Sequence, residues 1–184
     1  MQIDEAAKKE FLKLARQTIE KKLFGKSSIQ VDDSLPIFNE ISGAFVTLHK
    51  KGELRGCIGN IIGIYPLAKT ITEMAFASAF QDPRFAPLSK NEYPEIDIEI
   101  TILSPLKKAK AEEIEVGTHG IVITRGFYKG LLLPQVATEY NMDRETFLAH
   151  TCLKAGLSKD AWKDSQTKIE IFTGIVFSEK ELNS

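Results

Sequence analysis

The sequence predicts an α+β fold, with an antiparallel or mixed sheet flanked by helices. Three observations carry this. Segments with strand alternation follow one another as hairpins, so neighbouring strands run antiparallel. Helical segments are interspersed irregularly, which argues against a doubly wound parallel sheet. The chain has 184 residues, 43% of them hydrophobic, enough to bury roughly 70% of the unfolded surface without staples. That suits one domain, or one domain with a small lobe.

Asp4 to Phe24 reads as a helix, because Leu12, Ala15, Ile19 and Leu23 share a face with Phe11 beside them. Asp4 caps its start and Gly25 stops it. Residues 26–42 read as a long loop with one turn of helix. Leu35, Ile37, Phe38 and Ile41 anchor it, so it is no linker. Ala44 to Gly59 reads as a hairpin. A three-residue loop at Lys50 to Gly52, with glycine left-handed, pairs Leu48 with Leu54 and Val46 with Gly56. Val46, Leu48, Leu54 and Ile58 then share the buried face, and Phe45, Thr47, His49, Arg55, Cys57 and Gly59 the other.

Pro66 to Phe80 is a second helix with Leu67, Ile71, Met74 and Ala75 as its stripe. "QDPRFAPLSKNEYPE" is a loop punctuated by proline. Glu95 to Leu103 alternates strictly, with Ile96, Ile98, Ile100 and Ile102 inward, as a half-buried strand does. Ile121 to Thr124 and Lys129 to Leu133 form a hairpin around "RGFYKG". Helices follow at Gln135 to Tyr140 and at Arg144 to Ala155, the latter closed by Gly156. Lys168 to Phe177 is the last strand, with Ile169, Ile171, Thr173 and Ile175 on one side.

Net charge is −1, so no basic excess draws the whole chain to nucleic acid or anionic lipid. The N-terminal stretch is charged throughout and has no apolar core segment, unlike a signal peptide. No apolar run approaches the ~20 residues that span a bilayer, and the longest, "GLLLPQVA", is broken by Pro134. No membrane association and a cytoplasmic location are expected. In a reducing compartment Cys57 and Cys152 are free thiols. The three histidines and two cysteines show no metal-binding spacing, so no metal site is expected. Walker, dinucleotide-binding and G-x-S-x-G motifs are missing.

What remains is "ELRGCIGN", residues Glu53 to Asn60. Cys57 is a candidate nucleophile, since Arg55 on the same face would lower a thiol's pKa. Gly56 and Gly59 leave amides uncovered for an oxyanion or anionic ligand. His119, between Gly117 and Gly120, is the candidate base. The plainer alternative is that a free cysteine fills a core and that hairpin glycines mark a bulge or close packing. Cys152 lies on a helical stripe with Leu148 and Ala155 and reads as core. His49 and His150 read as solvent-facing. Asp82 and Arg84 in "DPRFAPL" read either as a site or as a structural turn. Gln135 and Glu139, four residues apart, share a helical face at a strand-to-helix junction.

"LRGCIG" at Leu54 to Gly59 is the signature hexapeptide of the AMMECR family, whose prokaryotic members are called AmmeMemoRadiSam system protein A. "GAFVTLHKKGELRGCIGN", "SAFQDPRFAPLSKNEYPEIDIEITILSP" and "HGIVITRGFYKGLLLPQVATEYNMDRETFLAHTCLKAGL" resemble family blocks in the family's order. The resemblance implies a single AMMECR-type domain over residues 1–184, with a larger sheet-and-helix lobe, a smaller lobe, and the motif near a groove between them. It implies a Memo-type protein and a radical SAM protein as partners. It implies no reaction, substrate or cofactor. Family motif positions fall on Arg55, Gly56, Cys57 and Gly59, and polar family-block positions on Asp82, Arg84, His119, Gln135 and Glu139.

Two functions are consistent with these residues. The first is a binding or accessory protein that takes an anionic small molecule, a nucleotide-like group or a partner peptide at the motif. The second is a cysteine-dependent transferase or hydrolase, with Cys57 as nucleophile and His119 as base. Arg55, His119 and Gln135 lack obvious local partners, and burying each alone is costly. With Asp82 and Arg84 they are therefore expected to converge on one groove.

Overall fold

The structure is a computed structural model that describes residues 3–25, 29, 32 and 34–182. It divides into two compact units. The first comprises Met1–Ser104 with Gly174–Ser184, and the second Pro105–Thr173.

In the first unit, α1 (Glu5–Phe24) starts where the Asp4 side chain accepts from the Ala7 N–H, and ends at Gly25 with φ 69°, both as the sequence predicts. Phe11, Leu12, Ala15 and Ile19 on α1 are buried. Residues 26–28, 30, 31 and 33 of the expected loop lie outside the described residues. Its helical turn among the described residues is Pro36–Asn39, which buries Phe38 against Phe11, ring on ring at 4.3 Å. Strands β1 (Ala44–Lys50), β2 (Glu53–Asn60) and β3 (Ile96–Leu103) follow, with α2 (Leu67–Phe80) between β2 and β3. A late strand, β8 (Gly174–Ser178), completes an antiparallel sheet in the order β2-β1-β3-β8. Ala44, Val46, Leu48, Ile98, Ile100, Ile102 and Phe177 pack with α1 and α2 in one core. The period-two pattern of β3 makes this possible, since alternate isoleucines all face the helices.

The hairpin register differs from the expected one. The turn has two residues, Lys51 and Gly52, both at positive φ (54° and 85°), the geometry whose twist matches antiparallel strands. Lys50 pairs with Glu53 and His49 with Leu54. The register then shifts, so that Leu48 pairs with Gly56, Thr47 with Cys57 and Val46 with Ile58. Arg55 is the extra residue, a bulge in β2. Leu54 therefore leaves the apolar face and is 43% exposed. The face expected for Cys57 is unchanged, because the bulge restores the parity that a two-residue turn alone would have lost.

In the second unit, β4 (Lys107–Lys108), β5 (Gly120–Arg125), β6 (Tyr128–Leu132) and β7 (Lys168–Phe172) form an antiparallel sheet in the order β4-β7-β5-β6. Helices α3 (Pro134–Glu139) and α4 (Arg144–Lys154) follow β6. The Asp143 side chain caps α4 through the Thr146 N–H at 2.8 Å. A Cβ on Gly130 would run into the backbone of α4 at Thr151 and of Ala155 just after it, so glycine is what lets α4 lie on β6. Cys152 is fully buried with Phe147, Leu148, Ile121 and Ile171, as expected.

The expected single strand from Lys168 to Phe177 is two. The break is hidden in the alternation because odd-numbered positions face inward on both sides of it. Ile169 and Ile171 join the second core, whereas Ile175 and Phe177 join the first. After β8 a short helix, α5 (Glu179–Leu182), supplies Glu179. That carboxylate holds Arg16 of α1 and accepts from the Ile98 N–H at 2.9 Å.

The register has a direct test in urea unfolding. Leu48→Ala should cost about 2–5 kcal/mol, as core truncations do, while Leu54→Ala should stay within about 0.5 kcal/mol. Equal losses would instead support the three-residue loop.

Candidate functional site

Among the described residues β2 is an edge strand, with β1 as its neighbour. An edge leaves backbone donors and acceptors unpaired. At Cys57 two side chains from the loop after α2 take them. The Cys57 N–H donates to Asp82 Oδ2 at 2.9 Å, and Arg84 Nη2 donates to the Cys57 carbonyl at 3.1 Å. Arg84 also grips Asp82, with Nε to Oδ1 at 3.0 Å and Nη2 to Oδ2 at 2.7 Å. The Asp82 side chain is only 1% exposed, that of Arg84 52%. Arg84 Nη1 makes no hydrogen bond among the described residues. The fork from Arg84 holds the Asp82 carboxyl far below the ordinary carboxylate range, against the opposing effect of its burial, with help from the Cys57 and Arg84 amides. Arg84 is raised in turn, chiefly by Asp82 and in smaller part by charge on Cys57.

The Cys57 side chain lies on the sheet face opposite the helices, half-buried. Its sulfur accepts from Thr47 Oγ1 at 3.2 Å. Thr47 pairs with Cys57 on one side and with Glu99 on the other, and Glu99 pairs with Ser178. A thiol, a hydroxyl, a carboxylate and a second hydroxyl thus form one row across four strands. A cavity of about 480 Å³ on the same face is lined by His49, Asp97, Glu99, Ser178, Lys180 and Glu181.

The glycines have packing reasons. A Cβ on Gly56 would run into the Ser78 carbonyl of α2, and one on Gly59 into the Phe45 ring. Ser78 uses this close approach, since its hydroxyl accepts from the Ile58 N–H at 3.0 Å and donates to the Val46 carbonyl at 2.6 Å. The plainer alternative weighed for these residues, close packing, accounts for both positions.

Arg55 finds its partners inside the chain. It is 8% exposed. Nε and Nη2 meet the two oxygens of Glu92 at 3.0 and 3.2 Å, and Nη2 also donates to the Ala86 carbonyl at 2.9 Å. Arg55 Nη1 is buried and has no acceptor among the described residues, a condition that costs about 1–3 kcal/mol for an ordinary polar group. The Phe85 ring adjoins both guanidinium groups, its centroid 5.7 Å from Arg55 Cζ and 5.5 Å from Arg84 Cζ. Glu92 is held far below the ordinary range, first by Arg55, then by the Ser89 amide, Lys50 and the Ser89 hydroxyl, with burial opposing.

In the first unit the structure therefore brings together Arg55, Gly56, Cys57, Gly59, Asp82 and Arg84. His119, Gln135 and Glu139 belong to the second unit. There His119 Nδ1 accepts from the Glu115 N–H at 3.0 Å, which puts the proton of the neutral ring on Nε2. The turn before it adjoins α3, where Thr138 Cγ2 sits 3.0 Å from the place a Gly117 Cβ would take. Gln135 and Glu139 are exposed on α3. Thr47, Ser78 and Glu92 are participants that the sequence reading did not single out. Glu92 had a signal, because Ser89-x-x-Glu92 is a capping box and its reciprocal bonds form. Ser78 and Thr47 had none, since their roles depend on contacts across strands. Among the described residues no group of acidic, histidine or cysteine side chains is placed to hold a metal ion, and no helix is long and apolar enough to cross a membrane.

The two depressed carboxylates predict an acid response. Their ordinary values are 3.8 and 4.5 and their folded values lie lower. The stability they contribute is therefore complete above the ordinary values and is lost as pH falls through the folded ones. The Asp82→Asn, Glu92→Gln double variant should be less stable at pH 7. Its urea midpoint should fall less steeply than that of the parent between roughly pH 5 and pH 2. Parallel pH curves for the two proteins would contradict the assigned shifts.

Comparison with known proteins agrees with this architecture. The AMMECR1 family model matches residues 12–177. A protein of Methanothermobacter thermautotrophicus is 42% identical over 176 residues, covering 91% of this chain and 92% of its own. One from Methanosarcina barkeri is 45% identical over 181 residues, covering 92% and 89%. Among solved structures, the crystal structure of the uncharacterized protein PH0010 from Pyrococcus horikoshii superposes with a TM-score of 0.73 at 40% identity, covering 92% of this chain and 90% of that one. A match over nearly the whole chain, joined to the two-sheet α+β fold, makes this chain a member of the AMMECR1 family.

Proposed function

We propose that this protein binds a small anionic ligand at the edge of its first sheet, beside Cys57, with Arg84 as the principal charge contact. One observation carries the reading. Arg84 is oriented by two fixed partners, Asp82 and the Cys57 carbonyl, yet its side chain is half exposed and keeps one nitrogen unengaged. A guanidinium fixed in this way loses little freedom on accepting a carboxylate or phosphate. The charge contact therefore moves from Arg55, the residue that sequence reasoning favours, to Arg84. A carboxylate-bearing peptide from the Memo-type or radical SAM protein that the family resemblance implies would compete for the same guanidinium.

A second reading keeps Cys57 as the nucleophile of a transferase or hydrolase. The Thr47 hydroxyl 3.2 Å from the sulfur favours it, because such a donor stabilises a thiolate.

Titration with inorganic phosphate, AMP and citrate, followed through the arginine Nε–Hε resonances, tests the first reading. The Arg84 signal should move on binding, and Arg84→Lys should weaken binding at least tenfold. A lysine cannot hold Asp82 and the Cys57 carbonyl and still present a planar donor pair. An Arg84 resonance unmoved by all three anions would refute it. The second reading requires Cys57 to be alkylated in the folded protein. A thiol that reacts only once the protein is unfolded would eliminate it.

A further inference from the structure

We propose that Arg55 and Arg84 together form a two-arginine site for a phosphoryl-type oxyanion, and that the side chain of Phe85 covers it in this structure. The inference rests on the reading that Arg84 holds an anion. It adds the second arm of the site, the class of anion and the group that controls access.

The starting observation is Arg55. Its side chain is nine-tenths buried, and its Nε and Nη2 are saturated by Glu92 and the Ala86 carbonyl. Its Nη1 carries two further N–H groups and meets no acceptor among the described residues. If the only task here were to neutralise Glu92, Lys50 at 3.2 Å and the Ser89 amide and hydroxyl already contribute to it. A buried guanidinium with one nitrogen left over is better suited to a partner that comes and goes.

Phe85 is placed to exclude that partner. Its ring adjoins both guanidinium groups. A cation above a ring gains some electrostatic attraction but no hydrogen bond. The loop can release the ring without losing its own anchors. Asp82 is tied to Cys57, Ala86 to Arg55, and the Leu88 N–H to the Ala79 carbonyl at 2.8 Å. Pro83 and Pro87 fix φ on either side. None of these bonds involves the Phe85 side chain, which is half-buried and so has solvent on one side into which to swing.

The number of donors selects the anion, since Arg55 Nη1 and Arg84 Nη1 both lack an acceptor among the described residues. A phosphoryl group brings three acceptor oxygens. It can take an N–H from each arginine at once and keep an oxygen over. A simple carboxylate has only two oxygens.

The test uses the full chain, with inorganic phosphate, AMP and acetate as probes, read through the Nε–Hε resonances of Arg55 and Arg84 and the ring signals of Phe85. With phosphate or AMP all three residues should respond in the parent protein. Phe85→Ala should tighten binding at least tenfold, and adding Arg55→Lys to it should reverse the gain. A preference for AMP assigns the site to a phosphorylated molecule, and equal affinity assigns it to the free oxyanion. Either supports the proposal. Should the Arg55 variant fail to fold, the Arg55 resonance of the parent and the Phe85→Ala affinity decide the matter. A response confined to Arg84 and indifferent to Phe85→Ala would overturn this proposal while sparing the simpler anion site. Acetate binding as tightly as phosphate would overturn it as well. Silence of both arginines would remove both readings.

Discussion

The turn between β1 and β2 has two residues at positive φ, and carried on without interruption its register would set Leu48 opposite Arg55 and Val46 opposite Cys57. The side chains of Arg55 and Cys57 would then point into the core under α2. The bulge at Arg55 moves every later pair by one position, so that Gly56 and Ile58 face the helix and Cys57 faces away from it. The rest of the region depends on that single inserted residue. Glycine falls where α2 needs to come close, the thiol falls opposite Thr47, and Arg55 is directed to Glu92. The extra twist of a bulge comes where the strand meets its outermost partners.

The second constraint is the chemistry of an edge. Cys57 offers a donor and an acceptor that no further strand takes up. A carboxylate and a guanidinium, joined to each other, occupy both. This blocks sheet extension, in keeping with the ways proteins protect their edges. It also makes the order of the loop depend on ionised groups. The same pair therefore serves structure and recognition, because the bonds that close the edge fix the orientation of the exposed half of Arg84.

Much of the fold was legible because its signals are local. The cap at Asp4, the stop at Gly25, the isoleucines of β3 and the stripe holding Cys152 each follow from spacing alone. Two features escaped for the same reason. A bulge can be read only against the facing strand, and the hairpin sequence is compatible with both registers. The passage from β7 to β8 keeps its alternation while changing cores, so no residue marks it except Gly174, which is also an ordinary hairpin residue. The site was legible as a set of residue types. The need of Arg55 for a partner was clear from its apolar surroundings, but the partner, Glu92, lies 37 positions away. The amides of Gly56 and Gly59 were read as possible anion donors, and the structure gives them packing reasons that depend on Ser78 and Phe45.

The return of the chain to its first sheet bears on the order of synthesis. On the ribosome, residues up to Ser104 can form β1, β2, β3 and both long helices, but β8 and Glu179 come from beyond Thr173. At about 5–20 residues per second, the intervening unit takes roughly 3–14 s to make. During that time the outer side of β3 has no neighbour and Arg16 lacks its carboxylate. The half of the molecule that is translated first is thus finished last. A nascent chain halted inside the second unit would carry an unsealed strand at the place where β8 belongs, open to pairing with another chain.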